Sequence, residues 1–409
     1  MDILLNVVRI DKILKNIIIS GSKSESNRLL ILQKLFLEIS IENLSDSDDS
    51  VHLQHALSSK EELIDIGHAG TAMRFLIGYF ASKQNSQVIL TGSQRMQNRP
   101  IGILVNALRD LGAHISYELK EGYPPVKITG CDIKKNYVEI NGNVSSQYIS
   151  SLILMGTHLE NGLEIELIGE ITSVPYIKMT LSLLNQLGIE TSFNETKIKI
   201  FSKKDIKKQT IIAESDWSSA SYFYSVVALS KIGTEIKLSA YKKESLQGDS
   251  CLTDIYNHFG VVTKFNQNSI ILKKQRKTNI NTLKINLKNS PDIAQTIAVT
   301  SFGLGISCDL LGLHTLKIKE TDRLEALKEE LTKLGAKIAI TNDSLHLSVS
   351  TKINENIAIK TYNDHRMAMA FAPLAFKVPI IILNSEVVSK SYQNFWIDMQ
   401  QIGMQIKEL

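Results

Sequence analysis

The nine residues SGSKSESNR, Ser20 to Arg28, put hydroxyls, a glycine, Lys23, an amide and Arg28 between the strand-like run IIIS and the helical run LLILQKLF. A strand, a Gly-Ser turn and a helix start leave free backbone N–H groups at the positive end of a helix dipole, which suits an anion. The spacing is not that of a nucleotide P-loop. In GHAGTAMR, Gly67 to Arg74, Gly70 allows a ligand to approach the backbone, and Thr71 is expected to cap the helix that follows. RMQNRP brings Arg95 and Arg99 ahead of Pro100, while SSQ (Ser145 to Gln147) and SVPY (Ser173 to Tyr176) add donors at two further helix starts. A serine before a helix is ordinarily only a cap. It is the agreement in donor type that points to one anionic ligand.

The second half of the chain carries a different chemistry. SPDIAQT sets Asp292 after a proline, IKETDR supplies Lys319, Glu320, Asp322 and Arg323 within a few residues, and NDHRMAM supplies Asp364, His365 and Arg366. Charges of both signs beside apolar runs suit a desolvated site holding an acid, a base and anion clamps. Asp364-His365 has no metal-ligand partner at helical spacing, and no G-x-S-x-G elbow is present, so neither a metal centre nor a serine hydrolase is indicated.

Composition narrows the alternatives. The chain has 409 residues, 43% hydrophobic, enough for a large core and two or more domains. Net charge is +4, and the lysines are scattered, which gives nucleic-acid binding little support. Of 46 cations only nine are arginine, and most of these fall inside the motifs above, where a planar fork for carboxylate or phosphate would be useful. Cys131, Cys251 and Cys308 are odd in number and far apart, so they read as buried apolar residues. No apolar run of about eighteen residues and no signal-peptide pattern appear, so a cytoplasmic location is expected.

Behind the motifs lies a repeated phrase of helix, glycine and strand: LRDLGAHI at Gly112, LNQLGIET at Gly188, YNHFGVVT at Gly260, LTKLGAKI at Gly335 and MQQIGMQI at Gly403. Successive glycines lie 76, 72, 75 and 68 residues apart. Each suits the left-handed position that ends a helix, and alternating sequence follows. The repeat predicts an α/β protein built by duplication into globular subdomains. A sixth copy, expected near residue 40, passes through VHLQHALSSKEELIDIG with little room for a hairpin, so it reads as trimmed. Lys203 to Asp216 is the best candidate boundary between domains.

Taken in order, SGSKSESNR, DSDD, GHAGTAMR, RMQNRP, SSQ, SVPY, DWSSASY, LQGD, PD, IKETDRL, NDHRMAM and SKSYQNF resemble the 5-enolpyruvylshikimate-3-phosphate synthases across nearly the whole chain. The resemblance implies transfer of an enolpyruvyl group from phosphoenolpyruvate to the 5-hydroxyl of shikimate 3-phosphate, with release of phosphate and no cofactor or metal. It implies a two-domain inside-out α/β barrel of β-α-β-α-β-β units, three per domain. Residues 21–214 would form the shikimate 3-phosphate side, and residues 1–20 with 215–409 the acid/base and phosphoenolpyruvate side, with the active site in the cleft between them. The first strand would pair within the C-terminal domain.

By the same resemblance, shikimate 3-phosphate is held by Lys23, Ser24, Arg28, Ser145, Ser146, Gln147, Ser173, Tyr176, Asp292 and Lys319. Phosphoenolpyruvate is held by Lys23, Gly70, Arg99, Gln147, Arg323, Arg366 and Lys390. Asp292 is implied as base for the 5-hydroxyl, and Glu320 with Lys319 as the acid and base pair, with Lys23 also catalytic. Partners are the two small-molecule substrates, without nucleic acid or membrane, and a monomer is expected. His68, Phe75, Thr315 and Gln393 depart from residues common in the family, and the stretch between Asp49 and Gly67 lacks a usual hairpin. A transferase acting on UDP-N-acetylglucosamine is the nearest rival, but LTGSQRMQNRP lacks the reactive cysteine normal to it. A non-catalytic anion-binding repeat protein would have no use for Asp292, Lys319, Glu320 and Arg366. An RNA-end-processing enzyme would need a basic track that the sequence does not show.

Overall fold

All five repeat glycines are left-handed, with φ of 105° at Gly112, 75° at Gly188, 83° at Gly260, 100° at Gly335 and 96° at Gly403. The structure is a computed structural model that describes residues 1–7, 14–172 and 174–409, with Leu14 in its backbone only. Each glycine closes a helix and turns the chain into a strand. At three of them the residue after the glycine bonds back five residues, Ala113 to Leu108, Ile189 to Leu184 and Ala336 to Leu331, each at 2.9 Å. That 6→1 bond is the Schellman closure, which needs the positive φ that glycine adopts without a Cβ penalty.

The chain divides into two compact units, Gly21–Ala213 and Met1–Ser20 with Glu214–Leu409. Glu214 falls in the latter, where its carboxylate accepts from Trp217 Nε1 at 2.8 Å and from the Lys242 N–H at 2.9 Å.

The Gly21–Ala213 unit contains helices α1 (Lys23–Leu35), α2 (Asp48–Ser58), α3 (Gly70–Ser82), α4 (Gln94–Gln97), α5 (Gly102–Asp110), α6 (Ser146–Gly156) and α7 (Val174–Gln186). Two of its sheets have four strands. In each, a parallel pair separated by a helix is extended by an antiparallel hairpin, as where Leu63–Asp65 pairs with Gln87–Thr91, and then Val126–Thr129 with His114–Tyr117. The third sheet has only the parallel pair Ile39–Glu42 and Gln209–Ile212. This is the trimmed copy, reduced by the hairpin that its short sequence could not hold.

The other unit contains α8 (Trp217–Leu229), α9 (Leu252–His258), α10 (Ala294–Leu304), α11 (Arg323–Lys333), α12 (His365–Phe371) and α13 (Phe395–Gln401). Its three sheets are four-stranded, each again a parallel pair extended by two antiparallel strands. In one of them Ile3–Val7 pairs antiparallel with Ile380–Ile382 and with Met404–Glu408, so the first strand of the chain sits in this unit's sheet.

Strands alternate, as in Tyr137–Asn141, where Val138 and Ile140 face inward and the rest are exposed. The helices beneath the sheets are buried all round: every residue of α3 and of α8 is buried. Such helices read as continuous apolar runs rather than one apolar stripe. Their few polar groups satisfy one another, with Ser221 on α8 bonding Thr296 on α10 at 3.0 Å and Thr300 donating to Ser225 at 2.7 Å. Among the described residues, no helix is long and apolar enough to cross a membrane.

Candidate functional site

In the Gly21–Ala213 unit, side chains tie the first two turns of five helices together. Arg28 of α1 donates to Ser150 Oγ of α6 at 2.9 Å, to Thr180 Oγ1 of α7 at 2.7 Å and to the Tyr176 carbonyl at 3.4 Å. Gln147 of α6 donates to Thr71 Oγ1 of α3 at 3.1 Å, and the Thr71 N–H donates to Asp49 of α2 at 3.2 Å. The positive ends of α1, α2, α3, α6 and α7 therefore gather at one end of the unit, which is where a negative ligand is stabilised. Thr71 is not a cap, as expected from sequence: α3 begins one residue earlier, and Asp49 takes the Thr71 N–H from outside.

Among the described residues, four cations here form no ion pair, although Glu25 favours the charge of Arg28 and Asp49 that of Arg74 from a distance. Arg28 and Arg74 are buried, and their hydrogen bonds go to carbonyls and hydroxyls: Arg28 also reaches the Ser24 carbonyl at 2.6 Å, and Arg74 the carbonyls of Gly70 at 2.8 Å and Pro100 at 3.2 Å. Burial lowers both guanidinium pKa values to about 10, with the like charge of Arg99 adding to the effect at Arg74. Both remain charged near neutrality. Among the described residues, the Lys23 ammonium and the Arg99 guanidinium form no ion pair. Arg99 lies over the start of α3, so close that a Cβ on Gly70 would stand 2.2 Å from its Nη1. Ser145 caps α6 through the Gln147 N–H at 3.4 Å, Ser146 is buried, and Tyr176 is half-buried on the first turn of α7. Ser173 lies outside the described residues.

In the Glu214–Leu409 unit the charges are paired instead. Arg323, the first residue of α11, donates from Nε to Asp364 at 2.7 Å, from Nη1 to Asp292 at 3.0 Å and from Nη2 to Glu320 at 2.6 Å. Burial opposes the charged form of this guanidinium, but Asp364, Glu320 and Asp292 together hold its pKa above the ordinary value. Arg366 reaches the other Asp292 oxygen at 3.3 Å, and Lys319 Nζ lies 3.4 Å from Asp292. Asp364 and Arg323 form a floor, 0% and 2% exposed, while Asp292 is 17%, Lys319 33% and Glu320 36% exposed at the mouth. Proton donors and acceptors thus face outward over a buried ion pair that fixes their spacing.

Behind Arg366, Ser218 accepts from its guanidinium at 3.3 Å and donates to Asp249. Burial, reinforced by the charge of Asp292, pushes the Asp249 carboxyl up to about 7. Lys390 Nζ donates to the Asn363 carbonyl at 2.7 Å, beside Asp364. Among the described residues, no group of acidic, histidine and cysteine side chains could hold a metal ion.

The structure brings Lys23, Ser24, Arg28, Gly70, Arg99, Ser145, Ser146, Gln147 and Tyr176 to one end of one unit. It brings Asp292, Lys319, Glu320, Arg323, Arg366 and Lys390 into one cluster of the other. Sequence reasoning gave no role to Asp364, Asp249, Ser218, Ser150 or Thr180. The first three lie in the motifs NDHRMAM, LQGD and DWSSASY, whereas nothing in the sequence marks Ser150 and Thr180 as the acceptors of Arg28. Of the departures, Phe75 is buried with Arg28 Cζ 5.4 Å from its ring centre, and His68 is half-exposed with Nε2 3.6 Å from Asp48. The Thr315 hydroxyl is buried without a hydrogen bond, and Gln393 is exposed.

A family model described as EPSP synthase (3-phosphoshikimate 1-carboxyvinyltransferase) matches residues 50–399. The 3-phosphoshikimate 1-carboxyvinyltransferase of Bacteroides fragilis strain YCH46 is 44% identical over 391 residues, 95% of each chain. That of Mannheimia haemolytica is 32% identical over 434 residues, covering 98% of this chain and 99% of its own. The solved structure of EPSP synthase from Acinetobacter baumannii superposes over 100% of both chains with a TM-score of 0.82 at 19% identity.

Proposed function

The chain belongs to the EPSP synthase family and transfers the enolpyruvyl group of phosphoenolpyruvate to shikimate 3-phosphate, and from that premise we propose which of its residues do what. The observation that carries the assignment is the contrast in charge pairing. Among the described residues, Lys23, Arg28, Arg74 and Arg99 form no ion pair, whereas Lys319, Arg323 and Arg366 share Asp292, Glu320 and Asp364. Unpaired cations at converging helix ends have a use for a phosphate. Paired charges at a mouth have a use for proton transfer.

Lys23, Ser24, Ser145, Ser146 and Ser173 take the 3-phosphate of the acceptor, and Gln147 and Tyr176 orient its ring. Arg28 acts mainly by its charge and by fixing the Ser24 backbone, because its donors are largely spent on neutral acceptors. Arg99 over Gly70, with Lys23, Arg323, Arg366 and Lys390, clamps the carboxylate and phosphate of phosphoenolpyruvate.

Asp292 accepts the 5-hydroxyl proton as that oxygen attacks the carbon bearing the phosphate. Glu320, with Lys319 beside it, gives a proton to the neighbouring methylene, so a tetrahedral intermediate forms. The reverse proton movement from the methyl group then accompanies departure of phosphate. Arg323 bonds Asp292 and Glu320 through its two terminal nitrogens, which keeps the base and the acid at a set distance from one reacting centre. The remaining cations stabilise the anionic oxygens throughout. Every role falls to this chain, so the reading needs no partner subunit, and it fits a cytoplasmic enzyme of aromatic amino-acid biosynthesis.

The test is phosphate release from purified protein given phosphoenolpyruvate and either acceptor. Release with shikimate 3-phosphate and none with UDP-N-acetylglucosamine is expected, and the opposite pattern would overturn the acceptor assignment.

A further inference from the structure

Tyr362 and Asn363, in the loop that leads into α12, have φ of 55° and 56°. Among the described residues they are the only adjacent non-glycine pair with positive φ. In this region the Cβ of an L-residue crowds the following carbonyl oxygen, and such strain persists only where the surroundings fix it.

The surroundings are specific. Glu330, on the third turn of α11, is fully buried. Its carboxylate accepts the Tyr362 hydroxyl at 2.7 Å and the Lys360 N–H at 3.2 Å, and Lys333 balances its charge at 2.7 and 2.8 Å. The Tyr362 hydroxyl also faces the carboxylate of Glu329, which is exposed. On the other flank Lys390 binds the Asn363 carbonyl at 2.7 Å, and the Asp364 N–H closes on the Thr361 carbonyl at 2.8 Å. Asp364 then meets Arg323, and its other oxygen accepts the Arg366 N–H at 2.9 Å. The helix α11 grips the strap twice, through Arg323 at its first residue and through Glu330 about 10 Å further along its axis.

We infer that Glu330 and Tyr362 are positioning residues, which hold the strap 360–364 in its strained form and so, through Asp364 and the Asn363 carbonyl, set Arg323, Arg366 and Lys390 against phosphoenolpyruvate. The left-handed Asn363 presents its carbonyl to Lys390, and the same turn delivers Asp364 to Arg323. Released from Tyr362, the strap relaxes toward ordinary φ, and both contacts loosen together. The inference rests on the assignment of Arg323, Arg366 and Lys390 to phosphoenolpyruvate made above.

Tyr362→Phe removes the hydroxyl and keeps the ring. Its steady-state kinetics, measured with each substrate varied in turn, are read beside amide hydrogen exchange across residues 360–364. The expected result is a KM for phosphoenolpyruvate raised about tenfold, a KM for shikimate 3-phosphate within about twofold of wild type, and faster exchange in the strap. Glu329→Gln, which leaves the Glu330 bond in place, keeps wild-type constants. Unchanged constants in Tyr362→Phe, or a lower kcat with both KM values unchanged, would overturn the inference, because a merely structural role removes active protein without altering one substrate's affinity. If the wild type itself releases no phosphate, the functional reading has failed, and unchanged exchange in Tyr362→Phe would then overturn the clamp on its own account.

Discussion

Asp249 shows how far a single residue's chemistry depends on its surroundings. The side chain is buried beside Ser218 and feels the charge of Asp292, so its carboxyl titrates near 7 rather than near the ordinary 3.8. The sign follows from linkage: a carboxyl whose pKa is raised by folding contributes its stabilisation below the ordinary value and loses it as pH climbs through the raised one. Wild-type protein should therefore lose melting temperature relative to Asp249→Asn as pH rises from about 4 to about 8. A difference that stays flat over that interval would mean the carboxyl is ionised in the folded chain. Burial opposes the charge of the neighbouring Arg366, but the groups around it, Asp292 first among them, hold its pKa well above the ordinary value, so it stays charged throughout.

At the scale of elements, the start of α3 couples the backbone to the ligand. Gly70 is used because Arg99 occupies the space a methyl group would need. The obstruction is the far end of a flexible side chain, so in Gly70→Ala the helix keeps its place and the guanidinium moves. The KM for phosphoenolpyruvate should rise about tenfold, equivalent to about 1.4 kcal/mol, with the KM for shikimate 3-phosphate unchanged. Equal effects on both substrates would place Arg99 elsewhere in the site. This element was half legible in the sequence: GHAGTAMR announces a helix start beside a ligand, but the cap comes from Asp49 on another helix, and no local pattern encodes that. The repeat glycines were legible in full, since a helix that must stop and turn requires a positive φ that glycine alone adopts freely. The strap at Tyr362 was not, because asparagine favours a left-handed φ but tyrosine does not announce one, and its cause, Glu330, lies thirty-odd residues earlier on a different helix.

At the scale of the whole molecule, two compact units built from the same repeated phrase carry opposite charge arrangements. The sequence points to the contrast because arginine is scarce and sits in motifs, and because the second-half motifs IKETDR and NDHRMAM set acidic residues directly beside it. It does not reveal pairing geometry: that Arg323 holds three carboxylates at once, while Arg28 holds none, depends on which helix ends the fold brings together. In the proposed division, cations of the first unit take the acceptor's phosphate and carboxylates of the second move the protons. The most direct measurement is shikimate 3-phosphate affinity beside turnover in Asp292→Asn and Glu320→Gln, which keep side-chain shape and remove the carboxylate charge. Affinity within a few-fold of wild type and turnover lower by about a hundredfold or more are expected. Turnover near wild type in both variants, or affinity lost in step with turnover, would contradict that division.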